Sequence, residues 1–308
     1  MKIKQALTSI ETTSRLTGEA RKPKKYKLYS YELTQEQFKL IEEYLPKVKL
    51  TRPPKYTKLE LINGMLYVLK TGCQWREIST KYPHWNSVYR YFAFLSNHFV
   101  LPKLINILNK QLTRKLDKTK SSVKYPDFML IIDSKSIRCS EYYLSSFKGR
   151  DGNKKIKGIK LCPVIDRLRR VWNIGIFGAN TSELRCYRIG LERTLMVKNS
   201  PLAKVVIGDR YFDSKDFREY CKRVFNLDLY TLRRGKRTKV TTLEEEARNK
   251  YLDQKMKGIV NPFRYIVEQF FSHLEKSRRL VMVYERKSKN YETFVNLRVL
   301  QLLIRRLC

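Results

Sequence analysis

Residues 128–132 (Phe-Met-Leu-Ile-Ile) form a short, unbroken apolar run that ends directly before Asp133, and no other segment restricts the fold as strongly. The run is too short for a buried helix, whereas a strand covered on both faces of a sheet is typically continuously apolar. Further strand-like segments (159–165, 171–177, 205–207) alternate with helical ones (182–197, 214–225, 262–280). Because this alternation is typical of a sheet flanked by helices, we expect an α/β domain.

The period of the apolar residues is helical between residues 31 and 116. Two capping boxes, in which a threonine precedes a Gln or Glu by three positions, predict helix starts, and a glycine suits the end of the second helix. These residues are Thr34 with Gln37, Thr57 with Glu60, and Gly72. The helical pattern continues over residues 86–96 and 102–116, so we expect a small all-helical unit before the α/β domain.

Three segments therefore make up the predicted domain organisation. Residues 1–27 are rich in Lys and Arg with few apolar residues, which predicts a flexible basic arm. Residues 28–118 form the helical unit and residues 119–308 the α/β domain, with the boundary in a stretch rich in Lys, Asp and Ser. The arm is either a solvated tail or a contact to a polyanion.

The charge of the chain indicates a polyanionic partner. Lys and Arg number 65 against 29 Asp and Glu, which gives a net charge of +36. Nucleic acid is the first candidate, since each cation set against a phosphate releases counterions. An anionic membrane surface is less favoured, because no apolar run approaches about 18 residues and residues 1–20 mix Lys, Thr, Ser and Glu where a signal peptide would have an apolar core. We expect a cytoplasmic protein without a readable zinc or disulfide pattern among its six scattered cysteines.

Three acids are candidates for the chemistry. Asp133 ends the first strand, and Asp209 follows the 205–207 strand by two residues, which places both at strand ends where α/β sites are built. Glu268 lies on the predicted helix that starts at Asn261 and Pro262. Ordinary interpretations stay open, since a strand-end Asp also caps turns and Glu268 can pair with Arg264 one turn earlier.

The three acids have a common chemical use. Phosphodiester cleavage requires charge stabilisation on both the attacking and the departing oxygen, which two Mg²⁺ ions about 3.5 to 4 Å apart supply. Carboxylates of Asp133, Asp209 and Glu268 are the hard oxygen ligands that such ions prefer. Without metal, three converging carboxylates would raise each other's pKa values. We therefore expect a Mg²⁺ site, with Mn²⁺ as a substitute.

The chain resembles the DDE transposases of bacterial insertion sequences that have a compact ribonuclease-H-like catalytic domain. The resemblance covers residues 31–300 and consists of fragments in a fixed order. It implies that Asp133, Asp209 and the Glu268 of Arg264-x-x-x-Glu268 are the catalytic, metal-binding acids. The matching fragments are residues 52–54, 63–76, 87–92, 132–138, 154–160, 165–166, 178–180, 206–214, 264–274, 277–280 and 284–285.

The resemblance also implies a fold and a function. We expect a ribonuclease-H-like mixed sheet flanked by helices, preceded by a small all-helical DNA-binding domain. The enzyme would bind the terminal inverted repeats of an insertion sequence as double-stranded DNA, cleave them with Mg²⁺ and transfer the strands to target DNA. It would act as a homodimer associated with the nucleoid, and the helices flanking Gly72 could serve as a helix-turn-helix.

Basic residues are candidate phosphate contacts, although each could equally be a solvated charge. Trp75 and Trp85 are interpreted as core anchors and not as base-stacking residues. The candidate contacts are Arg90, Lys154, Lys155, Lys157, Lys160, Arg233, Arg234, Arg264, Arg278 and Arg279.

The chain departs from the family pattern in two places. The family often has Tyr where this chain has Asn261, and Lys where it has Glu275, so those contacts to the DNA end are in doubt. Asp209 and Glu268 are 268 − 209 = 59 residues apart, which leaves little room for the β insertion of some relatives. A ribonuclease-H-like nuclease or resolvase, and an inactive DNA-binding remnant or repressor, remain alternatives.

Overall fold

The structure of the chain, a computed structural model, describes residues 29–46, 53–117, 129–141, 148–196, 203–232 and 243–308. It contains a mixed sheet flanked by helices and an N-terminal helical region, which confirms the predicted α/β class. The predicted basic arm (residues 1–27) and the basic segment 233–239 lie outside the described residues.

The N-terminal region is helical as predicted. Both capping boxes form, with the Thr34 and Thr57 side chains accepting hydrogen bonds from the backbone N–H groups of Gln37 and Glu60. Gly72 ends the second helix in the left-handed conformation at φ 74°, which glycine adopts at little cost. The helices are α1 (Gln35–Glu42), α2 (Lys58–Thr71), α3 (Trp85–Asn97) and α4 (Val100–Asp117), and a 3₁₀ turn spans Trp75–Glu77.

The sheet is organised around one long strand. Its strands are β1 (Met129–Ile132), β2 (Lys135–Arg138), β3 (Gly149–Asp151), β4 (Ile156–Asp166), β5 (Val171–Gly178), β6 (Val205–Ile207) and β7 (Asp228–Tyr230). On one edge β4 pairs antiparallel with β1 and β2, and on the other with β3 and β5. Strands β1, β6 and β7 are parallel to one another. The order across the sheet is therefore β5, β4, β1, β6, β7.

Strand β1 is buried on both faces, as its apolar run predicted. Leu130 and Ile132 belong to a core that includes residues of α5 (Glu183–Leu195) and α6 (Lys215–Phe225). Met129 and Ile131 belong to a second core on the other face. That second core includes residues of α7 (Leu243–Glu275), α8 (Arg278–Val281), α9 (Ser288–Leu307) and the N-terminal helices.

The predicted start of the helix that carries Glu268, at Asn261 and Pro262, was wrong. Helix α7 begins at Leu243 and continues through Pro262 to Glu275. A proline inside a helix removes one hydrogen bond and crowds the carbonyl four residues earlier. Here Val260 and Phe263, on either side of Pro262, are both buried in the same core, so packing maintains the helix across the proline.

The N-terminal helices and α9 share one core. The ring of Phe294 on α9 stacks on Trp75 at 5.6 Å and lies 4.6 Å from Phe92 of α3, measured between ring centroids. Trp75 is thus a core anchor, as predicted, whereas Trp85 lies at the start of α3 beside His84 and under the Arg76 guanidinium. The boundary at residues 118/119 stays a prediction.

Candidate active site

Asp133 and Asp209 lie side by side at the same edge of the sheet. Strands β1 and β6 are parallel, and Ile131 pairs with Ile207. Each aspartate comes two residues after that pair, at the carboxyl end of its strand. The parallel register therefore brings two side chains that are 209 − 133 = 76 residues apart in sequence to neighbouring strand ends.

Hydrogen bonds fix the end of β1 around Asp133. Its Oδ1 accepts the Ser134 backbone N–H at 2.8 Å, and the Ser134 hydroxyl donates to Glu183 Oε1 at 2.7 Å. The buried Tyr187 hydroxyl donates to the Asp133 backbone carbonyl. Glu183 and Tyr187 thus connect α5 to the end of β1 by hydrogen bonds next to Asp133.

The Asp133 carboxyl group has a raised pKa. Burial raises this pKa to about 6, and the negative charges of Asp209 and Glu183 act in the same direction. The Ser134 N–H and the positive charge of Arg264 oppose the shift. Near neutral pH the group is therefore ionised but close to titration, in a site that favours a compensating positive charge.

Asp209 caps a short turn while facing the same edge. Its Oδ1 accepts the backbone N–H of Tyr211, and the 3₁₀ turn Arg210–Phe212 follows. The turn is anchored because Phe212 is fully buried and packs over Gly208, where an added Cβ would lie 2.8 Å from the ring. The ordinary capping role is therefore observed, and it fixes the position of Asp209.

Glu268 does not join the two aspartates in this structure. Its Oε1 lies 3.5 Å from Nη2 of Arg264, one turn earlier on α7, and its side chain is 59% exposed. Within the described ranges, no three His, Cys, Asp or Glu side chains come close enough to hold one metal ion. The structure thus brings together Asp133 and Asp209, and leaves Glu268 in the alternative pairing.

The positive charge of Arg264 acts on both Glu268 and Asp133. Its guanidinium contacts Glu268 and its charge lowers the pKa of Asp133, so it is near both groups. Helix α7 packs against β1 and β6, which explains this proximity. Its Nε is buried and has no hydrogen-bond partner among the described residues. Arg264 therefore supplies positive charge both to its ion-pair partner Glu268 and to Asp133 at the strand end.

The donor set fits a divalent cation in part. Carboxylate oxygens are the preferred ligands of Mg²⁺. One oxygen each of Asp133 and Asp209 accepts a backbone N–H, and in the described part of the chain their Oδ2 atoms accept none. Two aspartates can therefore offer a free oxygen each, whereas Glu268 is paired with Arg264 and adds no third ligand in this arrangement.

Several predicted phosphate contacts are exposed. Arg90 is exposed on α3, and Arg278 is exposed beside Gly72. Lys154 and Lys155 lie in the turn between β3 and β4, and Lys157 lies on β4, all three exposed. Arg233 and Arg234 lie outside the described residues.

Two of the predicted phosphate contacts, Lys160 and Arg279, are buried inside the protein and are therefore not available to DNA. Lys160 is buried, and its ammonium donates to the Thr181 carbonyl at 2.9 Å and lies 3.8 Å from Glu183. Arg279 is buried and its guanidinium pairs with Glu285, with Nε donating at 2.7 Å. A buried charge needs such a partner, so we assign both residues to the fold and no longer to a DNA surface.

Three residues near the acids were not predicted. Glu183 and Tyr187 reach the Asp133 strand end from α5, and no sequence pattern indicated that contact. Lys135 of β2 pairs with Glu275, two turns after Glu268. The position where the family often has Lys thus carries an acid that pairs with a lysine of the sheet.

This sheet order, with β4 antiparallel to its neighbours and acids at the ends of β1 and β6, defines a ribonuclease-H-like domain. A family model described as "Transposase DDE domain" matches residues 127–303, more than half of the chain, and the chain belongs to this family. A second, described as "Putative transposase of IS4/5 family", matches residues 33–105. No curated protein matches the chain.

The two matches follow each other in chain order and confirm the resemblance to DDE insertion-sequence transposases. The family implies DNA binding and DNA strand cleavage and transfer, and its domains generally use divalent metal ions. None of the helices described has both the length and the apolar character needed to span a bilayer.

Proposed function

We propose that this transposase binds the terminal inverted repeats of an insertion sequence and catalyses Mg²⁺-dependent strand cleavage and transfer. Asp133, Asp209 and Glu268 are its proposed catalytic acids. The observation that carries the proposal is the placement of Asp133 and Asp209 on neighbouring parallel strand ends, inside the matched DDE domain. The raised pKa of Asp133 supports it, because perturbed carboxyl groups cluster at functional sites.

The chain's own residues have distinct proposed roles. A bound pair of Mg²⁺ ions would stabilise charge on the attacking and departing oxygens. Asp133 and Asp209 would hold these ions with their free oxygens, and their side chains are fixed by the Ser134 N–H and by the turn after Asp209. Arg264 neutralises the acids and is released to a DNA phosphate when Glu268 turns inward. The Glu268 side chain is 59% exposed, which leaves its rotamer free to change.

The proposed DNA path uses the exposed cations. Helices α2 and α3 are joined by residues 72–84, which include Gly72 and the 3₁₀ turn Trp75–Glu77, and they act as the helix-turn-helix that reads the terminal repeats. Arg90 lies on the exposed side of α3. Lys154, Lys155 and Lys157 contact phosphates without reading sequence. Two ends must be held together for transfer, so a homodimer completes the proposal, and an enzyme of this kind acts on the nucleoid.

Single substitutions test the catalytic assignment. Asp133→Asn, Asp209→Asn and Glu268→Gln should each reduce cleavage of a labelled repeat-end duplex in Mg²⁺ by about a thousandfold or more, because charge stabilisation is lost. Asp216→Asn and Glu219→Gln are matched controls. Asp216 is exposed, and Glu219 forms an exposed i,i+4 pair with Lys215, like the Arg264–Glu268 pair.

The same assay separates the possible outcomes. DNA binding, measured by gel shift, should be retained by all five variants. Cleavage by Asp209→Asn at the wild-type rate would refute the site. Cleavage retained by Glu268→Gln alone would move the third ligand elsewhere. Hydrolysed ends without joined products would identify a nuclease, and a wild type that binds ends without cleaving them would be an inactive remnant.

Salt titrations test the DNA path. Arg90→Ala should weaken binding to repeat ends about tenfold more than to random duplex, since groove contacts carry specificity. Replacing Lys154, Lys155 and Lys157 by Ala should weaken both equally and reduce the salt slope by about 0.9 per lost phosphate contact. Lys215→Ala, an exposed lysine on α6, is the control. An unchanged slope in the triple variant would remove the lysines from the path.

A further inference from the structure

Tyr187 of α5 contacts the supports of both aspartates. Its side chain is fully buried. The hydroxyl lies within hydrogen-bond distance of two backbone carbonyl oxygens, that of Asp133 at the end of β1 and that of Pro163 on β4, the latter 3.1 Å away. The ring packs edge-on against Phe212, with 5.3 Å between the ring centroids. One side chain therefore touches the strand end of Asp133 and the ring that anchors the turn after Asp209.

Phe212 connects this tyrosine to the second aspartate. It lies at the end of the 3₁₀ turn that Asp209 caps, and its backbone N–H donates to the Asp209 carbonyl at 3.1 Å. Its ring is fully buried and packs over Gly208, which directly precedes Asp209. Because the packing is close, a displacement of the ring would disturb the backbone on both sides of Asp209.

Glu183, one turn before Tyr187 on the same face of α5, makes a second contact to the end of β1. Its Oε1 accepts the Ser134 hydroxyl at 2.7 Å. The Lys160 ammonium lies 3.8 Å from the same oxygen and donates to the Thr181 carbonyl at 2.9 Å, which fixes its position. Helix α5 therefore holds the end of β1 at two points, a backbone carbonyl and a side-chain hydroxyl.

We propose that Tyr187, assisted by Glu183, is the positioning residue that sets where the Asp133 and Asp209 carboxylates stand relative to each other. Acids on two different strands share a cation only when their oxygens are held within about 0.5 Å of the required places. Removing a side chain that orients metal ligands typically weakens metal binding or activity about 10–100-fold. The inference rests on the proposed catalytic acids, and it adds a buried residue that is not itself a ligand.

Removing the Tyr187 hydroxyl alone tests the inference. Tyr187→Phe keeps the ring against Phe212, and it should raise the Mn²⁺ dissociation constant of the full-length chain, measured by electron paramagnetic resonance, about tenfold. The half-saturating Mg²⁺ concentration for cleavage of a repeat-end duplex should rise by about the same factor. The affinity for that duplex, measured by gel shift without divalent metal, should stay at the wild-type value. Ser134→Ala removes only the second contact and should raise the Mn²⁺ dissociation constant about threefold.

Tyr220→Phe is the matched control. Its hydroxyl donates at 2.7 Å to Glu192, more than two turns after Glu183 on α5, so this variant should bind Mn²⁺ like the wild type. An equal loss of affinity in Tyr220→Phe would assign the effect to the general packing of α5 and overturn the inference.

Asp133→Asn separates failure of the inference from failure of the proposed function. Wild-type Mn²⁺ affinity in Tyr187→Phe, with affinity lost in Asp133→Asn, would leave the acids in place and overturn the role of Tyr187. Wild-type Mn²⁺ affinity in Asp133→Asn would overturn the proposed function and the inference with it. If circular dichroism shows that Tyr187→Phe does not fold, Ser134→Ala decides, and wild-type Mn²⁺ affinity in that variant overturns the inference.

Discussion

Asp133 shows how one side chain is placed under opposing electrostatic demands. It is held at a strand end by Ser134 and Tyr187, in surroundings poor in water and next to the charges of Asp209 and Glu183. A carboxyl group there resists ionisation, and its pKa rises to about 6. Such a residue lowers the stability of the metal-free protein while it makes the site attractive to cations.

This cost gives a prediction for Asp133→Asn in metal-free buffer. The pKa of Asp133 is raised from 3.8 to about 6 in the folded protein. The protonated carboxyl group therefore contributes its whole stabilisation below about pH 4, and this contribution is lost as the pH rises through about 6. The free energy of unfolding of the uncharged variant should therefore exceed that of the wild type by about 2–3 kcal/mol at pH 7. Below about pH 4 ionisation should contribute no difference between the two proteins.

Urea unfolding with a chelator between pH 3.5 and 8 measures this difference. The exposed Asp216→Asn is the control and should show no pH-dependent gain. A stability difference that stayed constant across the pH range would contradict the raised pKa. Added Mg²⁺ should stabilise the wild type above pH 6 and the variant much less, because the cation binds the ionised form.

At the scale of elements, the pairing of β2 with β4 depends on a close backbone approach at Gly158. A Cβ added there would lie 1.9 Å from the Ile137 carbonyl oxygen, which is main chain and cannot rotate away. Gly152, in the turn before β4, has no neighbour within 4 Å. The two glycines thus form a matched pair with opposite steric surroundings.

Gly158→Ala should lower the free energy of unfolding by about 3 kcal/mol, at the upper end of overpacking costs, because the β2–β4 pair must separate. Gly152→Ala should change it by less than about 0.5 kcal/mol. Chemical denaturation of both variants provides the comparison. Equal stabilities would mean that β2 can shift without cost.

Elements with strong apolar patterns were predictable, and those defined by their neighbours were not. Strands β1, β4, β5 and β6 follow from apolar runs, and both capping boxes fixed helix starts. The short strands β2, β3 and β7 carry charged residues and gain their conformation from pairing partners. The start of α7 was missed because buried residues on both sides of Pro262 override a local break signal.

The two aspartates of the candidate site were predictable from the sequence, whereas the contacts around them were not. Strand ends identified Asp133 and Asp209, since parallel register places such positions together. The pairing of Arg264 with Glu268 is local and was foreseen as an alternative. The contacts of Glu183 and Tyr187, and the burial of Lys160, depend on how α5 packs on the sheet, which has no periodic signal in the sequence.

The whole molecule is joined by one core that spans the N-terminal helices and α9. Phe294 is fully buried between Trp75 and Phe92, and the Thr293 hydroxyl donates to the Ser96 hydroxyl at 2.9 Å. Removing the N-terminal helices would expose this apolar surface. Point substitutions such as Arg90→Ala therefore test the proposed DNA recognition better than truncation does.

Phe294→Ala should destabilise the entire chain by about 3–5 kcal/mol, because it leaves a large cavity in the shared core. Circular dichroism and tryptophan fluorescence should report the same shifted midpoint, as expected of one cooperative unit. Phe99→Ala, at a ring that is 60% exposed, should cost less than about 1 kcal/mol. Two separate transitions in either protein would show that the helical region folds independently.

The position of α9 in the order of synthesis has a consequence for expression. The ribosome completes α2, α3 and α4 long before α9, so their apolar faces wait for a partner that is translated much later. A message truncated before the codon for Ser288 encodes helices without that partner, and chaperones and proteases act on such exposed apolar surfaces. Premature termination is therefore a poor route to a stable fragment of this transposase.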